Sequence, residues 1–378
     1  MSDVSDPGSD PGGEARADSP RHIDPDRGTL EGIGAGQRVD GEATGFPTTT
    51  GAERRRPDLA VPADSPTYYD QPAIKEPVWI WSVPAYLFVG GAAAGAAVLG
   101  AVAQVADRED LAGLVRRSRD LAMAGTVLST GFLIHDLGRP VRFLNMLRVF
   151  RPSSAMSMGS WTLAAIGTAS GAASVLPRLG LHRLGDLAGL GSGVLGPPLG
   201  TYTAVLLSDT AVPVWQAPRR QLPALFAASG LVAATSTLDL FEQRPRERDI
   251  THRLGVIAKS ADLVAGEMVE RAADDVERVG RPLHEGASGA MWKAAKACTV
   301  ASLAASVVPV PPRWRRVRRR LAAVLGLTGS ATLRFALFHA GMASSRDPRA
   351  TFDQQRAGRG AAEVTGTSGV IGPGSQRA

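Results

Sequence analysis

The sequence is short of cysteine, lysine and histidine, and each shortage removes a class of function. One cysteine, Cys298, among 378 residues allows no intrachain disulfide. It also allows no CxxC pair to hold zinc or an iron–sulfur cluster, so the chain brings no cysteine-ligated redox centre. Six histidines offer a single pair, His135 with His339, that could ligate a b-type haem, and no metal or covalent cofactor is expected. The basic residues are almost all arginine, and the formal net charge is +6. These arginines lie between apolar runs, so topology and anionic lipid explain them better than nucleic acid does. The first 56 residues contain no apolar run, so no cleavable signal peptide is expected.

Apolar runs occupy the middle of the chain. Residues 1–75 are rich in Gly, Pro, Asp, Ser and Arg with no apolar period, and 347–378 are similar; both are expected to be disordered tails. Between them, 76–346 reads as an all-α polytopic membrane helix bundle of about eight spans. Ser82 to Ala106 carries no charge and is long enough to cross a bilayer, with Trp79 and Trp81 at its head. The others are Asp120–His135, a run within Ser153–Pro177, Leu187–Ser208, Gln221–Leu238, Arg253–Arg271, Met291–Val310 and Leu321–Ser344. Pro197 and Pro198 should kink or unwind the fourth. Trp215, after the fourth, reads as a belt residue. GGAAAGAAVLG, GTASGAAS and LAASVV place small residues along helix faces, which permits close helix approach. A coding bias toward Ala and Gly would leave the same trace.

Six arginines between Arg313 and Arg320 place that connection in the cytoplasm and both termini outside. The stretch HDLGRPVRFLNMLRVFRP then falls outside despite Arg139, Arg142, Arg148 and Arg151, so those arginines are expected to dock a partner.

Depth along the spans singles out further residues. Asp120 to His135, Leu187 to Tyr202 and His252 to Glu267 each span 15 residues, and Arg320 to Arg334 spans 14. At 1.5 Å per residue each group lies roughly 21–23 Å above the cytoplasmic end. Tyr86, His135, Asp136, Tyr202, Glu267 and Arg334 thus form one candidate layer. Arg334 needs a carboxylate, and Asp136 and Glu267 are the candidates. The layer either locks helices together or binds a small amphipathic molecule whose chemistry moves protons. A quinone fits the second reading, with His135 and a carboxylate handling the proton. Lys259 and Asp262, at i and i+3, either neutralise one another or continue a proton path.

These residues resemble the NrfD family, which includes the polysulfide reductase membrane anchor. The resemblance rests on SVPAYLFVGGAAAGAAVLG, LIHDLGRPVRFLNMLRVFRPSSAMSMGSW, TYTAVLLSDTAVPVW and LRFALFHAGMASSRDP. It implies an eight-helix subunit of a bacterial inner-membrane oxidoreductase complex with no redox cofactor of its own. It implies a ferredoxin-type iron–sulfur subunit and a molybdopterin-dependent catalytic subunit as partners, and menaquinone or another quinone as the bound substrate. The alternative is a passive anchor without quinone chemistry. In the polysulfide reductase branch a histidine is expected on the first span; here that span offers Trp81, Ser82 and Tyr86 instead.

Overall fold

The computed structural model describes residues 74–357. Most of the expected N-terminal tail and the end of the C-terminal one lie outside the described residues. Within them the chain is helical: α1 (Ser82–Ala106), α2 (Ala112–Leu137), α3 (Pro140–Met146), α4 (Ala155–Val175), α5 (His182–Ser208), α6 (Pro213–Gln216), α7 (Leu222–Asp239), α8 (Pro245–Asp274), α9 (Glu277–His284), α10 (Gly286–Val307), α11 (Arg315–Ser345) and α12 (Pro348–Arg356). Helix α12 lies beyond the point where sequence reading ended the ordered chain. Its start is set by Asp347, whose carboxylate accepts the Arg349 and Ala350 N–H groups, with Pro348 in the first turn.

Three of the helical segments are long and apolar enough to cross a membrane by length and composition: Ser82–Ala106, Leu222–Asp239 and Pro312–Ser345. The pair α2 and α3, bent by 108° at Gly138–Arg139, makes a fourth if counted as one span.

Helix α1 runs through the centre, against α2, α5, α7 and α11. Its small residues explain this position. Gly91 and Gly95, spaced as GxxxG, meet Gly230 and Ala234 of α7. Gly125 brings α2 onto Ala93, and Gly193 and Gly196 bring α5 onto Ala101 and Val98. Not every small-residue run does this. Gly167 and Gly171 of GTASGAAS have no neighbour near their Cβ positions; that run meets α2 through its other face, where the Ser170 and Thr126 hydroxyls bond at 3.2 Å. Helix α5 continues through Pro197 and Pro198 rather than unwinding there. Thr201 donates its hydroxyl to the Pro197 carbonyl at 2.8 Å.

Two sets of contacts define the ends of the bundle. At one end Arg119 of α2 joins Gln104 of α1 (2.7 Å) and Asp186 of α5 (2.9 Å). At the same end Glu247 of α8 is fully buried. It accepts from the Leu114 N–H in the first turn of α2 (2.9 Å), from Arg117 (2.5 Å) and from the Arg244 N–H (3.0 Å). One carboxylate thus caps two helix N-termini, where the orphan N–H groups and the helix dipole favour an anion. This end also carries the arginines of α11. The opposite end gathers the start of α1, the end of α2, the α5–α7 connection and the end of α11.

Candidate functional site

The HDLGRP stretch folds at the second of these ends. Gly138 sits in the left-handed region (φ 71°) and its N–H reaches the Ile134 and His135 carbonyls, which terminates α2. Arg142 donates to the Leu137 carbonyl at 2.9 Å, covering another free carbonyl of that helix end. Pro140 then starts α3. Ser154 caps α4 by accepting from the Ser157 N–H. The Ser157 hydroxyl donates to the Val149 carbonyl and accepts from the Arg151 N–H, both at 3.0 Å. Trp161 closes the turn, edge-on to Phe150 and donating to the same carbonyl. The result is a pinned surface connection. Arg139, Arg142, Arg148 and Arg151 are all exposed on it, beside exposed Val141, Leu144, Val149 and Phe150.

His135 and Asp136 lie at this end, not inside the bundle. His135 is exposed, its ring 5.6 Å from that of Trp81. Asp136 accepts from the Ile80 N–H and the Ser82 hydroxyl, both at 3.4 Å, which ties the end of α2 to the start of α1. Ile80 and Trp81 also form a wall of a cavity of about 830 Å³. Its other walls include Met291, Phe338, His339 and Met342, and Arg278, Arg281, Glu285, Arg346 and Asp347 also line it. The cavity is therefore mostly apolar, with ionisable groups around it. Trp79, also in the lining, stacks on Trp215 at 5.7 Å. Trp215 is not a belt residue: it is fully buried, and its indole N–H donates to the Leu337 carbonyl at 2.8 Å. Gly341 makes room for its ring; a Cβ there would sit 1.9 Å from it.

The other predicted residues are dispersed. Tyr86 is buried and its carbonyl accepts from Ser129. Tyr202 packs its ring against Gly159 of α4. Glu267 is half-buried and pairs with Lys296 (3.3 Å) and Arg271 (3.2 Å). Arg334 is 1% exposed; it donates to the Phe226 carbonyl at 2.9 Å and lies 3.7 Å over the Phe226 ring. The carboxylate whose charge faces it is Asp262, rather than Asp136 or Glu267. The reason is angular. Asp262 and Glu267 are five residues apart, about 140° around a helix, so they cannot share a face.

Asp262 and Arg334 belong to an enclosed polar column among α7, α8, α10 and α11. Thr299 donates to Asp262 at 3.3 Å. Lys259 does not pair with Asp262. It is buried, donates to the Ser306 hydroxyl at 2.9 Å, and faces the charge of Asp239. Ser306 passes its own hydrogen to the Ser302 carbonyl, and Ser229 and Ser330 bond at 2.8 Å. One carboxylate oxygen each of Asp239 and Asp262, and Arg334 Nε and Nη1, are buried without a hydrogen-bond partner. Sequence reading missed Asp239, Thr299 and Ser306. Their signal is a polar period inside apolar runs: Thr299, Ser302 and Ser306 fall at i, i+3 and i+7, and Gly326, Ser330 and Arg334 at i, i+4 and i+8.

A bundle of long helices with small-residue crossings, charges turned inward and apolar spans defines an integral membrane protein. Residues 71–170, which reach from before α1 into α4, match the family model described as polysulphide reductase, NrfD. No curated protein matches the chain.

Proposed function

We propose that this chain is the quinone-interacting membrane subunit of a multisubunit oxidoreductase, with all eight long helices crossing the bacterial inner membrane. Four of the eight fall short of the apolar test even with α2 and α3 counted as one span; Ser170, Ser192, Lys259, Asp262, Thr299 and Ser302 on them turn into the bundle, where they do not meet lipid. The observation that carries the reading is the 830 Å³ cavity at the end of α1. It falls within the size range of small-molecule sites, and its largely apolar surface, with ionisable groups in the lining, suits a flat ring with two oxygens. Quinol oxidation releases two electrons and two protons, and quinone reduction takes up the same. His339 stands in the cavity wall, and His135 and Asp136 stand behind Trp81, close enough to pass protons between the head group and the surface. Electrons pass to or from an iron–sulfur partner. The exposed arginines of the 137–155 connection suit an acidic docking face on that partner, and the family resemblance adds a molybdopterin-dependent catalytic subunit.

In the assembled complex, His135→Ala and Asp136→Asn are expected to reduce quinone-linked turnover to near background while the subunits still co-purify. Assembly with unchanged quinone kinetics in both variants would leave a passive anchor.

The enclosed column supports a second role. Asp239, Lys259 and Ser306, continued by Thr299, Asp262 and Arg334, provide exchangeable protons from the arginine-rich end deep into the bundle. Lys259→Met is expected to leave quinone turnover in detergent nearly intact and to abolish turnover-linked proton uptake in proteoliposomes. Wild-type proton uptake in that variant would remove the path.

A further inference from the structure

A second cavity, of about 720 Å³, opens at the arginine-rich end among α7, α8, α10 and α11. Arg248, Arg315, Arg316, Arg318, Arg319 and His252 line it. Three carboxylates are also present, and each has a cation of its own. Glu242 faces Arg316 (3.6 Å), Asp249 pairs with Arg253 (2.9 Å), and Asp239 faces Lys259 in the column. Arg248 and Arg319 share the charge of Asp239 with Lys259, and Arg315 and Arg318 add to the excess. Two of these arginines are held in place by carbonyl groups: Arg248 by Gln243 (3.0 Å), and Arg318 by Ser306 (3.1 Å) and Val308. The Nε–H groups of Arg318 and Arg319 are buried and donate to nothing. A guanidinium with a spare N–H in a cationic recess is suited to an oxyanion, which accepts several charge-assisted hydrogen bonds at once.

The surroundings say which oxyanion. Val307 and Val308 follow the lining residue Ser306, and Trp314 precedes the lining residue Arg315; all three apolar side chains are exposed and give the cavity an apolar rim. A soluble phosphate has no use for such a rim, whereas a phospholipid places its acyl chains along it. Basic pockets between helices at this level of a membrane protein are matched to anionic headgroups.

We propose that this cavity binds the phosphate of an anionic phospholipid, with Arg318 and Arg319 as its principal hydrogen-bond donors. The lipid seals the foot of the α10–α11 pair, where the two helices part at Val308. The inference needs the chain to lie in a membrane but not to react with quinone, and its test reads lipid occupancy, so the two proposals stand or fall separately.

The test is native mass spectrometry of the full-length chain in detergent with added phosphatidylglycerol, phosphatidylcholine or inorganic phosphate. Retention of phosphatidylglycerol well above phosphatidylcholine is expected, undisturbed by inorganic phosphate. In the double variant Arg318→Gln/Arg319→Gln, phosphatidylglycerol affinity is expected to drop roughly thirtyfold. Should that variant misfold, Arg318→Lys/Arg319→Lys keeps the charge, loses the planar fork, and is expected to show an intermediate loss. Equal retention of the two lipids, or wild-type retention by a folded double variant, would overturn the proposal. So would displacement of the lipid by inorganic phosphate, which would assign the cavity to a soluble anion.

Discussion

Replacing Arg334 by methionine is expected to destabilise the protein by about 1–3 kcal/mol, because Asp262, beyond ion-pair distance but facing the Arg334 charge, is left buried without a counter-charge. Arg334 is held by the Phe226 carbonyl, by the Phe226 ring and by the charge of Asp262, all inside the bundle. Methionine fills much of the same volume, so packing changes little. What remains is a buried carboxylate with Thr299 as its hydrogen-bond donor and no cation. The loss should therefore be mostly repaired by adding Asp262→Asn, because a neutral pair costs far less to bury than a lone charge. Thermal unfolding in detergent reads both variants. If the double variant is as unstable as Arg334→Met alone, the partnership with Asp262 is wrong.

Gly230→Ala is expected to cost about 2–3 kcal/mol, at the upper part of the range for overpacking. A Cβ on Gly230 would lie 2.6 Å from the Gly91 carbonyl oxygen and 2.9 Å from its carbon. Both are backbone atoms, so no side chain can swing aside, and α1 and α7 must separate. These two helices join the α1–α2–α4–α5 group to the α7–α8–α10–α11 group, so the disturbance reaches both. Gly171→Ala is the control. It lies in the interior of α4 with open space at its Cβ, so the change should be neutral or slightly stabilising through helix propensity. Equal effects of the two substitutions, measured by the same unfolding assay, would contradict the assigned crossing.

The contrast between Gly230 and Gly171 shows what the sequence can carry. Composition marks small-residue helices, but whether a glycine touches a neighbour depends on which face meets which helix. Helix α1 was legible to the residue, because an uncharged run between Trp81 and Asp107 leaves no other reading. The HDLGRP turn was legible as an interruption, and its glycine and proline perform the stop and restart that their backbone preferences require. Helical rise assigned each residue a depth along its span. Direction around the axis was not used, and the single polar layer dispersed for that reason: Arg334 found Asp262, five residues from Glu267, and Glu267 turned to Lys296 and Arg271. Trp215 failed differently. Its place depends on tertiary partners, the Leu337 carbonyl and Gly341, and no local pattern names those.

The central claim is that a quinone head group sits at the start of α1. Photolabelling of the assembled complex in native membranes with an azido-quinone, followed by peptide mapping, tests it most directly. The account predicts saturable labelling of Trp79–Ser82 and of the Phe338–Met342 turn, suppressed by excess unmodified menaquinone and weakened in Trp81→Ala. Labelling confined to other helices, or labelling at these peptides that menaquinone does not suppress, would contradict it.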